Sequence, residues 1–139
     1  MMGTFVEIAL TVAVSERRLN SWITAGFAAI EKVEALMSAY RPDSDVSRIN
    51  RAASGAWIRI HPLTARVLRN SNQLFKASGG AFDIRCQAAP RAGQAPVDLR
   101  GNLARKTGPG LIDLGGIAKG FAVDRAVQAG VAPSKSLCL

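Results

Sequence analysis

Gly115 and Gly116, with Lys119 three positions on, are the residues best suited by type and spacing to chemistry on a phosphate. They lie in Leu111-Ile112-Asp113-Leu114-Gly115-Gly116-Ile117-Ala118-Lys119-Gly120-Phe121-Ala122-Val123-Asp124. This stretch reads as a short apolar strand, a double-glycine turn and an amphipathic helix. Glycine admits φ > 0 and close approach of another group to the backbone. A glycine turn entering a helix leaves N–H groups converging on one spot, which suits an anion. Lys119 adds a positive charge there. The same pattern fits an ordinary β-turn-α connection with a solvated lysine, and the stretch alone leaves both readings open. Apolar residues at Phe121, Val123, Ala126 and Val127 carry the helix to Gly130, its expected C-cap.

Other elements must hold this stretch in place. Val6, Ile8, Leu10 and Val12 alternate with smaller or polar neighbours, which predicts a half-buried strand over residues 5–13. Ser15 caps a long helix whose apolar stripe runs Leu19, Trp22, Ile23, Phe27, Ile30, Val33, Leu36, Met37 and Tyr40. Arg41-Pro42 ends it, because the residue before proline avoids the α region. Ser44 is placed to cap a short helix, Trp57-Ile58-Arg59-Ile60 reads as a strand, and His61-Pro62 opens a further helix. In that helix Leu63, Val67, Leu68, Leu74 and Phe75 face the core, and Ser78-Gly79-Gly80 ends it. Residues 85–110 show no periodicity and read as a loop of about 25 residues, long for a compact domain.

The chain has 139 residues, 48% apolar and 20% charged, which fits one globular domain. A net charge of +8 suits an anionic ligand. The basic residues are scattered, with no basic run and no aromatic-plus-basic motif, which argues against nucleic acid. Cys86 and Cys138 stand far apart, and the single histidine rules out a zinc constellation. No segment is apolar for the roughly 20 residues of a transmembrane span. The opening residues form no secretory signal, so the expected location is cytoplasmic, or a leader is absent from this sequence.

Four pieces in series carry a family resemblance: Met2-Gly3-Thr4; Met37-Ser38-Ala39-Tyr40 with Ser44-Asp45-Val46-Ser47-Arg48-Ile49-Asn50; Ser78-Gly79-Gly80-Ala81-Phe82-Asp83; and Ile112 to Asp124. Together they resemble the FAD:protein FMN transferases, the ApbE family. The resemblance implies an α+β fold, a mixed sheet with packed helices. It also implies an enzyme that splits the pyrophosphate of FAD with Mg²⁺, passes FMN to a threonine of a target flavoprotein and releases AMP. By the same resemblance Met2 and Tyr40 pack against the flavin nucleotide, and Ala81, Phe82 and Asp83 line its slot. Gly115 and Phe121 border the phosphates, and the Ala118 carbonyl is a Mg²⁺ ligand. Family members are often membrane-anchored or periplasmic.

The chain also departs from that pattern. Members of the family run to about twice this length, still within the size of one domain. Their second half carries a glycine-glycine-aspartate strand, a histidine motif and an alanine-aspartate-threonine segment, none of which is matched here. Residues 1–131 are therefore expected to be the N-terminal part of a flavin transferase domain, and residues 132–139 an atypical tail. The expectation is a truncated and inactive transferase. The alternatives are a non-catalytic fragment that binds a flavin nucleotide or a partner, and a frameshifted product without independent function.

Overall fold

The computed structural model describes residues 5–10, 13–87, 89 and 93–131. Met2 and the tail at 132–139 lie outside them. The described residues form an α+β fold: α1 (Glu16–Met37), α2 (Asp45–Arg51), β1 (Ile58–Arg59), α3 (Pro62–Ala77), β2 (Arg85–Cys86), β3 (Val97–Arg100), β4 (Leu103–Lys106), β5 (Leu111–Ile112) and α4 (Gly115–Val131). Two antiparallel sheets run β1-β4-β3 and β2-β5.

The core is one apolar cluster drawn from all four helices and from the strands. Val33, Val46, Val67, Leu68, Ala104 and Leu114 are fully buried at its centre. Helices α1 and α4 make the principal contact. Gly26 permits their close crossing, because a Cβ there would sit 2.9 Å from Ile8 Cδ1 and 3.7 Å from Ala126 Cβ. Helix α3 starts as its sequence predicts: Pro62 takes the first position and His61 Nδ1 accepts from the Leu63 N–H at 3.1 Å. At its far end Gly79 and Gly80 have φ of +60° and +88°, and the Gly80 N–H closes on Phe75 O at 2.9 Å.

Several expectations are corrected. Residues 5–10 keep their alternation, with Val6, Ile8 and Leu10 half-buried. Their backbone, however, finds no neighbouring strand among the described residues, and Val12 lies outside them. They lie beside an apolar cleft of about 460 Å³ lined by Val6, Ile8, Leu10, Trp22, Val123 and Val127. Helix α1 stops at Met37, so Tyr40 leaves the stripe and is 92% exposed. The sequence beyond explains this early stop: Pro42 has no N–H to give the Ser38 carbonyl in a longer helix, and that carbonyl, on an extended C-cap, accepts instead from Ser44 Oγ at 2.7 Å and the Arg41 N–H at 3.4 Å. Leu74 turns outward, 44% exposed.

The supposed loop at 85–110 contains a hairpin. Strands β3 and β4 pair from Val97↔Lys106 to Arg100↔Leu103 around Gly101-Asn102. Gly101 has φ +56° and Asn102 does not adopt a positive φ, the pattern of a two-residue turn led by glycine. Gly115 and Gly116 are not a turn but the first two residues of α4, and neither has positive φ. Gly130 is inside α4 rather than its cap. A Cβ there would lie 3.9 Å from Trp22, an ordinary contact that leaves room for a larger residue.

Candidate nucleotide-binding cleft

The SDVSRIN segment of the sequence builds a buried polar frame. Ser44 Oγ accepts from the Ser47 N–H at 3.0 Å and caps α2. Asp45, 5% exposed, accepts from the His61 N–H at 2.8 Å, the Thr64 hydroxyl at 2.6 Å and Arg48 Nη1 at 3.0 Å. One carboxylate thus joins α2 to the start of α3. Asn50 does the same for β5: its Nδ2 donates to Ile112 O and its Oδ1 accepts from the Ile112 N–H, both at 2.9 Å. The amide acts as a substitute neighbouring strand. Lys106 Nζ donates to Asn50 O at 3.3 Å and Gly110 O at 3.0 Å, which ties the hairpin to the same place.

Against this frame lies a cleft of about 440 Å³ whose lining includes Tyr40, Asn50, Arg51, Cys86, Gln87 and Asp113. Gln87 has φ +58°. No other non-glycine residue described has positive φ, and such a backbone is uncommon for glutamine. Asp113 Oδ1 accepts from the Gly115 N–H at 2.7 Å and so closes the start of α4. Gly115 has a steric reason, since a Cβ there would sit 3.1 Å from that oxygen. The Ile117 and Ala118 N–H groups both bond to Leu114 O, at 3.0 and 2.7 Å. Among the described residues only the Gly116 N–H of this helix start keeps no partner.

The structure brings some of the anticipated residues together and separates others. Tyr40 lines the cleft with Asp113, and Phe82 packs toward Gly116, 3.7 Å from where a Cβ would stand. Asp83 is held by Arg85 through bonds of 2.7 to 3.0 Å, with the Arg85 side chain 5% exposed and stacked 5.1 Å over the Phe75 ring. Burial pushes the Asp83 carboxyl up. The side-chain and backbone bonds and the charge of Arg85 outweigh it and hold the group below the usual aspartate range. Ala81 and Lys119 are exposed, Phe121 is half-buried against the core, and none of them lines the cleft. The Ala118 side chain is 1% exposed, within the helix.

The sequence reading gave no individual role to Asp45, Asn50, Lys106 or Gln87. The first two sit in the Ser44-to-Asn50 motif already noticed, each beside one apolar residue, Val46 and Ile49, that is buried in the core. Lys106 and Gln87 carry no such signal.

The sequence profile of the ApbE family matches residues 2–132. The chain belongs to the ApbE family. No individual curated protein matches it at a significant level. Among solved structures it is similar to the Pseudomonas stutzeri flavinyl transferase ApbE, with a TM-score of 0.73 and 22% identity over 84% of this chain and 47% of that one. The Vibrio cholerae flavin transferase ApbE gives 0.67 and 26% over 83% and 45%. The ApbE protein of Thermotoga maritima gives 0.73 and 20% over 90% and 48%. The chain therefore has the ApbE α+β fold and spans about half the length of these relatives.

The Mg²⁺ implied for the family does not fit the donors here. Among the described residues no three of His, Cys, Asp and Glu converge, Asp83 is engaged by Arg85, and Asp113 already closes α4. A hard octahedral cation relies on carboxylates together with substrate oxygens. Among the described residues no helix is long and apolar enough to cross a membrane.

Proposed function

We propose that this chain is the nucleotide-binding part of an FAD:protein FMN transferase and does not complete the transfer by itself. The observation that carries the reading is the cleft at the β5–α4 junction, whose lining includes both Tyr40 and Asp113. In the complete reaction a threonine hydroxyl of the acceptor flavoprotein attacks the FMN-side phosphorus of FAD. The pyrophosphate P–O bond breaks, AMP leaves with that bond's electrons, and the hydroxyl proton passes to solvent. Such chemistry is largely positioning and charge neutralisation.

This chain's part is binding. Tyr40 presents an exposed aromatic face to a flavin ring, and the Gly116 N–H at the start of α4 offers a donor to the phosphates, with Lys119, outside the cleft, adding only a longer-range positive charge. Asp83 acts indirectly, by fixing Arg85 and with it the 82–85 segment beside α4. A non-catalytic flavin-nucleotide-binding role is the second reading, favoured by the commitment of Asp83 to Arg85.

Flavin fluorescence during titration with the protein tests binding. Tyr40→Ala should weaken FAD at least tenfold, about 1.4 kcal/mol. Unchanged affinity would remove Tyr40 and the cleft from the reading. Incubation with FAD, Mg²⁺ and a threonine-bearing acceptor, followed by mass spectrometry, should show no covalent FMN. Steady turnover would overturn the claim that the chain is insufficient alone.

A further inference from the structure

The three-stranded sheet turns one face inward and one outward. Ile58, Leu99 and Ala104 stand opposite one another and pack on the core. The pairs Arg59↔Leu103 and Arg100↔Leu103 place two arginines on the other face, and strand alternation adds Trp57, Asp98 and Arg105. We propose that this outward face is a docking surface for a carboxylate-rich polypeptide segment.

Three observations select that partner. The face holds three arginines against one aspartate, where an exposed antiparallel face ordinarily mixes its charges. Arg105 Nη2 donates to Asp98 at 2.6 Å, whereas Arg59 and Arg100 meet no carboxylate among the described residues. The guanidinium carbons of Arg100 and Arg105 lie 4.9 and 4.6 Å from the Trp57 ring centroid. Stacking on the indole holds the Arg100 guanidinium in place and leaves its N–H edges open to bidentate carboxylate contact, while Arg105, on the same ring, already shows the pairing, with its Nε and Nη2 both on Asp98 at 3.2 and 2.6 Å. Little side-chain freedom is then left to lose on binding.

The same geometry disfavours other occupants. Nucleic-acid platforms stack bases on open aromatic rings, and the Trp57 ring is already engaged by two guanidiniums. A second copy would bring another net +8 against this one. The proposal is independent of the cleft and of the transferase reading.

Fluorescence anisotropy at low salt tests it, with labelled decaglutamate as probe and a ten-residue oligothymidylate as competitor class. Arg59→Glu/Arg100→Glu should weaken decaglutamate at least tenfold, and Arg59→Gln/Arg100→Gln should rank between it and the parent. Arg17→Glu/Arg18→Glu makes the same change of net charge at the exposed start of α1 and should alter affinity less than twofold. Circular dichroism checks that each variant keeps its helices. Equal losses in both charge-reversed variants would overturn the proposal in favour of net charge alone. Tighter binding of oligothymidylate, lost in the Arg59/Arg100 variant, would overturn it in favour of nucleic acid.

Discussion

The two ends of this molecule are held by different forces. Around α2 the contacts are polar, short and buried, with Asp45 and Asn50 each satisfying several groups from distant elements. At the α1–α4 end the contacts are apolar, and the extended residues 5–10 border an open cleft with Val123 and Val127 54% and 59% exposed. Buried hydrogen bonds are directional and costly to leave unmade, so they define geometry. Apolar contact is non-directional and gains from whatever covers it. The candidate site lies at the end where geometry is defined.

Asp45→Ala should give the largest effect. It orphans the buried Thr64 hydroxyl and the His61 N–H, at a cost of about 3 kcal/mol. Thermal denaturation should show a fall in Tm of roughly 10 °C. A change below about 2 °C would erase the contrast between the two ends. Asn50→Ala strips both backbone groups of buried Ile112 and should cost about 2 kcal/mol. It should also raise amide exchange at β5 before it affects α1. Uniform exchange across the chain would count against a local tether.

Acid sharpens the comparison further. The folded-state pKa of Asp83 is depressed, so its contribution is present above the unfolded aspartate value of about 3.9. It is lost as pH falls through the folded value. Urea titrations below about pH 4 should show a steeper loss of stability in the parent than in Asp83→Asn. Parallel curves would remove Arg85–Asp83 from the polar frame. The smallest effect is expected at the open end, where Val123→Ser and Val127→Ser should each change stability by within about 0.5 kcal/mol. Sedimentation should nevertheless show less self-association in the pair than in the parent.

What the sequence made legible follows the same division. Helix starts were readable because their signals are local: Ser44 and His61-Pro62 cap the helices they precede. The Gly101-Asn102 turn was equally local, but proline and glycine on both sides masked it, and β3 and β4 were missed. Tyr40 leaves the stripe because Pro42 denies the Ser38 carbonyl its helical donor, so the backbone turns extended at Ser38, three residues before the Arg41-Pro42 boundary that helical spacing suggests. Gly115 and Gly116 suggest a turn because glycine permits positive φ, whereas here both are helical, and the close approach of Asp113 Oδ1 accounts for a small residue at Gly115 alone. The cleft itself was not legible. It depends on Asn50 meeting Ile112, a pairing that no periodicity encodes.

That pairing has a consequence for how the protein forms. Asn50 and Ile112 are separated by 62 positions, and Lys106 reaches back 56 to Asn50. Contacts of such range require a long chain segment to be closed before they return any stabilisation, which slows their formation. Helix α1 and the Asp45 junction with α3 span shorter intervals and can assemble first. During synthesis the cleft therefore cannot take shape until the segment carrying Ile112 has emerged, and until then Asn50 waits beside an unfilled place in the sheet.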